Sequence, residues 1–135
     1  MPIRRFDLAD RDAVVALWRR CGLVQPEADP HGDIDRKLAA QPDLFFVEII
    51  DHTLVGTVMA GYEGHRGWIN YLAVEPKARR QGIGSRLMRH AEDELAKLGC
   101  PKVNLQVRGS NATVASFYES IGYQLEDRLS FGRRL

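Results

Sequence analysis

Residues 82–98 constrain the fold more than any other part of this chain. Ile83, Leu87, Ala91 and Leu95 recur every four residues, with Met88 and Leu98 beside them. Arg86, Arg89, Glu92, Asp93 and Lys97 take the other side, so the spacing predicts an amphipathic helix packed on a sheet. Gly99 and Pro101 stop it. Apolar runs flank this helix: Trp68 to Val74 before it and Lys102 to Val107 after it. A strand–helix–strand run returns the chain to the same end of the sheet, so these two strands are expected to be parallel neighbours.

Three runs upstream, Leu44 to Ile50, Leu54 to Tyr62 and Trp68 to Val74, are joined by short turns at Asp51-His52 and Gly64-His65-Arg66-Gly67. They read as an antiparallel meander. Residues 2–6 read as a first strand, and Asp7 or Asp10 can cap the next helix. That helix has an apolar stripe of Val14, Leu17, Trp18 and Cys21 and ends at Gly22. A loop over 23–32 precedes a shorter helix from Asp33 to Ala40. Near the end, Asn111 can cap a helix to Ile121, and Gly122 closes it. Tyr123 to Asp127 and Arg128 to Arg134 read as two final strands. The expected order is β-α-α-β-β-β-α-β-α-β-β in one domain over residues 1–135. The class is α/β (α+β), with a mixed, mostly antiparallel sheet flanked by helices.

Composition narrows the partners. Net charge is +1, so nothing favours bulk binding to nucleic acid or a membrane surface. No stretch approaches the apolar length of a membrane helix. The start, Met-Pro-Ile-Arg-Arg-Phe-Asp, lacks the apolar core of a signal peptide, and a cytoplasmic location is the expectation. Cys21 and Cys100 are far apart and read as free thiols. His31, His52, His65 and His90 lack ligand spacing, so no metal is expected.

The turn before the long helix carries chemistry. Arg79-Arg80-Gln81-Gly82-Ile83-Gly84 places two glycines where a helix begins. The glycines let the backbone approach a ligand, and the helix start offers unpaired N–H groups and a positive dipole end. The site suits a phosphate or diphosphate. It is not a dinucleotide turn, because the third glycine would fall at Leu87, nor a Walker loop, which ends in Gly-Lys-Ser/Thr.

Arg-x-x-Gly-x-Gly after a strand resembles the diphosphate motif of the GNAT acetyltransferase superfamily. A second stretch, Asn111 to Tyr123, is similar to that family's Asn-x-x-Ala-x-x-Phe-Tyr-x-x-x-Gly-Phe, with Val114 for the alanine and Tyr123 for the final phenylalanine. Gly56 to Gly67 further resembles the bacterial YpeA-like acetyltransferases. The resemblance covers nearly the whole chain and implies the GNAT fold, in which the fourth and fifth strands splay apart to admit coenzyme A.

The resemblance also implies roles. Arg79, Arg80, Gln81, Gly82, Ile83, Gly84 and Ser85 would hold the diphosphate of acetyl-CoA, the cosubstrate. The backbone of Leu72, Ala73 and Val74 would pair with the pantetheine arm, with Asn111, Phe117 and Tyr118 also on the cofactor. Tyr118 would protonate the departing thiolate. The strand Trp68–Leu72 has no carboxylate, so the base is open between Glu63, His65 and water. The loop over 23–35, with Glu27, Asp29, Asp33 and Asp35, would rim the acceptor site, where carboxylates can attract an amine or simply solvate a loop. The implied activity is acetyl transfer to a primary amine of a small molecule or protein. The alternative is a coenzyme A sensor without catalysis. The last run, Leu129 to Arg134, could offer an edge for a homodimer.

Overall fold

The meander expected from the three apolar runs forms the middle of a five-stranded sheet. The computed structural model describes residues 2–135. Its strands are β1 (Ile3–Arg5), β2 (Phe45–Ile50), β3 (Thr53–Tyr62), β4 (Gly67–Val74) and β5 (Val103–Asn104). They lie in the order β1-β2-β3-β4-β5. The first four are antiparallel, and β4 pairs parallel with β5. The helices are α1 (Arg11–Arg20), α2 (Pro30–Ala40), α3 (Ile83–Lys97) and α4 (Ala112–Ser120).

The chain divides into two compact units, Met1–Leu105 and Gln106–Leu135. In the first, the hairpin turn between β2 and β3 is Asp51-His52, with φ of 49° and 64°. Both residues lie in the left-handed region, which matches the turn to the twist of the strands. α1 buries Val14, Leu17 and Trp18 against Phe45, Val47 and Met59 on one sheet face. α3 buries Ile83, Leu87, Met88, Ala91 and Leu95 of the expected stripe, but Leu98, the residue after its last turn, is 55% exposed. Gly56 lets α3 approach β3: a Cβ there would fall 2.7 Å from Leu87 Cδ1 and 2.9 Å from Ile83 Cγ2.

α2 starts at Pro30, not at Asp33 as expected. Asp29 caps it by accepting the Gly32 N–H at 3.0 Å. Pro30 fits the first turn, where its missing N–H costs nothing and its φ is already helical.

In the second unit, Asn111 caps α4 by accepting the Val114 N–H at 3.2 Å. The two final strands do not form: residues 123–135 join no sheet. Leu125, Leu129 and Phe131 are 96%, 85% and 90% exposed. Alternating apolar residues give strand propensity, but a strand also needs a partner ladder, and none forms here. The edge expected at Leu129 to Arg134 is therefore not a strand edge. The fifth strand is also shorter than expected, two residues in place of 102–107.

Candidate active site

The cradle follows β4 directly. A 3-10 turn, Pro76–Ala78, leads to extended Arg79. Arg80 then has φ 69° and Gly82 φ 76°. The left-handed region costs a residue such as Arg80 about 1–2 kcal/mol, and such strain gathers at ligand sites. Gly82 carries the same turn without that cost. The first α-helical bond runs from Arg86 N–H to Gly82 C=O at 3.0 Å. The N–H groups of Ile83, Gly84 and Ser85 precede that ladder, and no side chain caps the start of α3. They are free to receive an anion at the positive end of the helix.

Leu72, Ala73 and Val74 lead into this turn. Ala73 and Val74 pair with Thr57 and Gly56 of β3. On the other side, β5 meets only Gly67 and Trp68. The two parallel strands part after Trp68, and the edge of β4 toward the cradle has no β5 partner. An extended amide-bearing arm can pair there as an added strand would.

A bulge sits beside that edge. The register between β3 and β4 shifts between Thr57 and Met59, where Tyr71 takes φ 52°. Four contacts hold it. The Tyr71 ring stacks on Trp18 with centroids 3.7 Å apart. The Trp18 indole N–H donates to Thr57 Oγ1 at 2.9 Å, and the Thr57 hydroxyl donates to the Tyr71 carbonyl at 2.9 Å. The Tyr71 hydroxyl also donates to Asp33 Oδ2 at 2.6 Å. Burial first, then this bond and the carboxylate charge, push the pKa of Tyr71 well up.

Two further residues lie beside the turn: Arg86, which the periodicity places on the outer face of α3, and Glu48. Glu48 is fully buried on β2, and its Oε2 accepts from Arg86 Nη2 at 2.6 Å. Arg86 Nη1 donates to the Gln81 carbonyl at 2.8 Å. Glu48 is the lone charge in the run Leu44–Ile50, and that was the available signal.

Glu63 and His65 lie in the exposed turn before β4. β4 is 8 residues long, roughly 25 Å at about 3.3 Å per residue. The turn stands at one end of it and the cradle at the other. The Glu63 carboxylate accepts the Arg66 and His65 N–H groups, the latter at 2.7 Å. These bonds, Arg66 first, hold its pKa below the ordinary value and weaken it as a base.

The carboxylates of the rim are largely engaged. Asp29 caps α2, Asp33 accepts from Tyr71 and Arg36, and Asp35 pairs with Arg11 at 2.6 Å. Asp29 and Asp33 lie at the start of α2, and Asp35 lies within it.

In the second unit, Tyr118 is buried, with its ring edge-on to Phe117 at 5.1 Å and Tyr123 at 5.8 Å. Burial pushes its pKa up to about 12. A phenol there stays protonated at neutral pH. Among the described residues no group of three His, Cys, Asp or Glu could hold a metal ion. No helix among them is long and apolar enough to cross a membrane.

Residues 8–123 match the model of the Acetyltransferase (GNAT) family. An acetyltransferase of Sodalis glossinidius is 46% identical over 136 residues, covering 100% of this chain and 96% of the relative. The aminoglycoside 6'-N-acetyltransferase of Acinetobacter haemolyticus shares the fold with a TM-score of 0.79 at 18% identity, over 100% of this chain and 99% of that one. A predicted acetyltransferase from Clostridium acetobutylicum, solved with acetyl-CoA, matches with a TM-score of 0.74 at 18% identity, over 97% of this chain and 94% of that one.

Proposed function

The chain belongs to the GNAT acetyltransferase family, and from that premise we propose that it moves an acetyl group from acetyl-CoA to a primary amine by direct attack. The observation that carries this reading is the uncapped start of α3, which follows the stretch of β4 that has no β5 partner. The N–H groups of residues 80–85 take the diphosphate. The backbone of Leu72–Val74 takes the pantetheine arm. Asn111 and Phe117 are assigned to the coenzyme by their motif.

The amine nitrogen attacks the thioester carbon, and a backbone N–H of the β4 edge steadies the oxyanion. The carbon–sulfur bond then breaks. Tyr118 gives its proton to the leaving thiolate, whose conjugate acid has a pKa of about 8.5 by analogy with cysteine. The amine proton passes to Glu63, His65 or water. One domain over residues 1–135, acting in the cytoplasm, is part of the same proposal. A small-molecule amine and a protein amine fit it equally.

Thermal unfolding with and without acetyl-CoA tests the cofactor site. At 100 times Kd, a ligand adds about 2.7 kcal/mol and raises Tm by roughly 5–15 °C. The wild type should show this rise and a folded Gly82→Glu variant should not. No rise at millimolar acetyl-CoA removes the reading. Binding without turnover across a broad amine panel favours a coenzyme A sensor, the reading kept alive by the absence of a carboxylate on β4.

A further inference from the structure

Arg86 is placed against the helix dipole. It lies in the opening turns of α3, where a cation is disfavoured by the positive end of the helix. Its contacts account for it. One side of the guanidinium meets Glu48 Oε2 at 2.6 Å. The Glu48 side chain is 0% exposed, and its Oε1 is buried with no hydrogen-bond partner. The other side donates to the Gln81 carbonyl at 2.8 Å. Arg86 Nη1 is also the nearest atom, 3.4 Å away, to a Cβ built on Gly82.

The peptide between Gln81 and Gly82 is planar and trans, so its C=O and N–H point in opposite directions. A guanidinium that holds the Gln81 carbonyl therefore turns the Gly82 N–H away from Arg86. The same cation offsets a buried carboxylate that would otherwise oppose an anion at the start of α3. The planar arginine fork makes both bonds at once, one from each terminal nitrogen.

We infer that Arg86, anchored on Glu48, is a positioning residue for the diphosphate of the acyl donor: it orients the Gly82 N–H and neutralises the charge behind the cradle. This rests on the cofactor site proposed above. It acts on donor binding at one end of the coenzyme and leaves the pantetheine strand alone.

The test is titration calorimetry of coenzyme A together with amide NMR of the bound state. Wild type, Arg86→Gln and the doubly neutral Glu48→Gln/Arg86→Gln are compared. The double variant leaves no unpaired buried charge, so it serves if the single variant does not fold. The expected result is a Kd weakened about tenfold or more, the effect of a lost hydrogen bond to a charged group. The ligand-induced shift of the Gly82 amide should shrink while those of Ala73 and Val74 persist. An unchanged Kd overturns the inference, as does an equal loss at Gly82, Ala73 and Val74, which marks a merely structural role. Wild type that does not bind coenzyme A overturns the cofactor site and this inference together. Wild type that binds, with variants that bind as well, overturns this inference alone.

Discussion

The Tyr71 ring lies face to face on the Trp18 indole, with centroids 3.7 Å apart and planes 12° from parallel. The contact ties the bulge of β4 to α1 across the sheet core. Thr57 closes the circuit, because it accepts from Trp18 and donates to the Tyr71 carbonyl. The shape of the β4 edge therefore depends on side chains outside the cofactor motif.

Thr57→Val keeps the volume and removes the hydroxyl. Thr57 is 0% exposed, so the variant strands a buried indole N–H and a carbonyl. A loss of roughly 1–3 kcal/mol is expected. Urea unfolding should show a lower midpoint with an unchanged slope.

Gly56→Ala tests the seating of α3. The new Cβ would meet Leu87 Cδ1 at 2.7 Å and Ile83 Cγ2 at 2.9 Å, and the Ala73 carbonyl at 3.2 Å. Overpacking of this kind costs about 1–3 kcal/mol. The start of α3 must move, so coenzyme A binding should weaken beyond what a fall in Tm explains. Calorimetry on the folded variant reads this directly.

Tyr118→Phe should lower kcat by about 10²–10⁴ with little change in the KM for acetyl-CoA. The Tyr118 pKa of about 12 keeps the proton in place, so its ionisation adds no alkaline limb near neutral pH. Glu63→Gln separates Glu63 from the other routes for the amine proton. Glu63 as base acts in its charged form, so activity is lost as pH falls through a pKa below 4.5. A profile unchanged in Glu63→Gln removes Glu63 and leaves His65 or water to take the proton.

Lys37 gives a stability test. Its ammonium donates to the Ala60 carbonyl, and burial lowers its pKa from 10.5 to about 8. The unfolded chain then binds more protons than the folded one between these values, so this group makes stability rise with pH across the window from about 8 to 10.5. Measured against Lys37→Met by denaturant unfolding, the wild type should gain stability with pH through that window. A flat difference would show that Lys37 titrates alike in both states.

The long helix was legible because periodicity reports one thing well: which face of an element is apolar. Ile83, Leu87, Ala91 and Leu95 needed no partner to be recognised. Gly82 was legible because only glycine takes a positive φ freely at a helix start. The last two expected strands are absent for the complementary reason. Residues 123–135 alternate suitably, but strand formation depends on a neighbour that local sequence does not contain.

The sequence by itself determined the element order from β1 to α4, the crossover that makes β4 and β5 parallel, and the glycine-bearing turn at Arg79–Gly84 where α3 begins. These follow from local rules: period, caps and the conformational freedom of glycine. Only the tertiary structure decided that β4 bulges at Tyr71 over Trp18, and that Arg86 reaches from a helix face to a carboxylate buried on β2. Trp18 and Thr57 are 39 residues apart, as Glu48 and Arg86 are 38. No periodicity spans such separations. Side chains that distant become partners only when the sheet register and the seating of α3 bring their elements together.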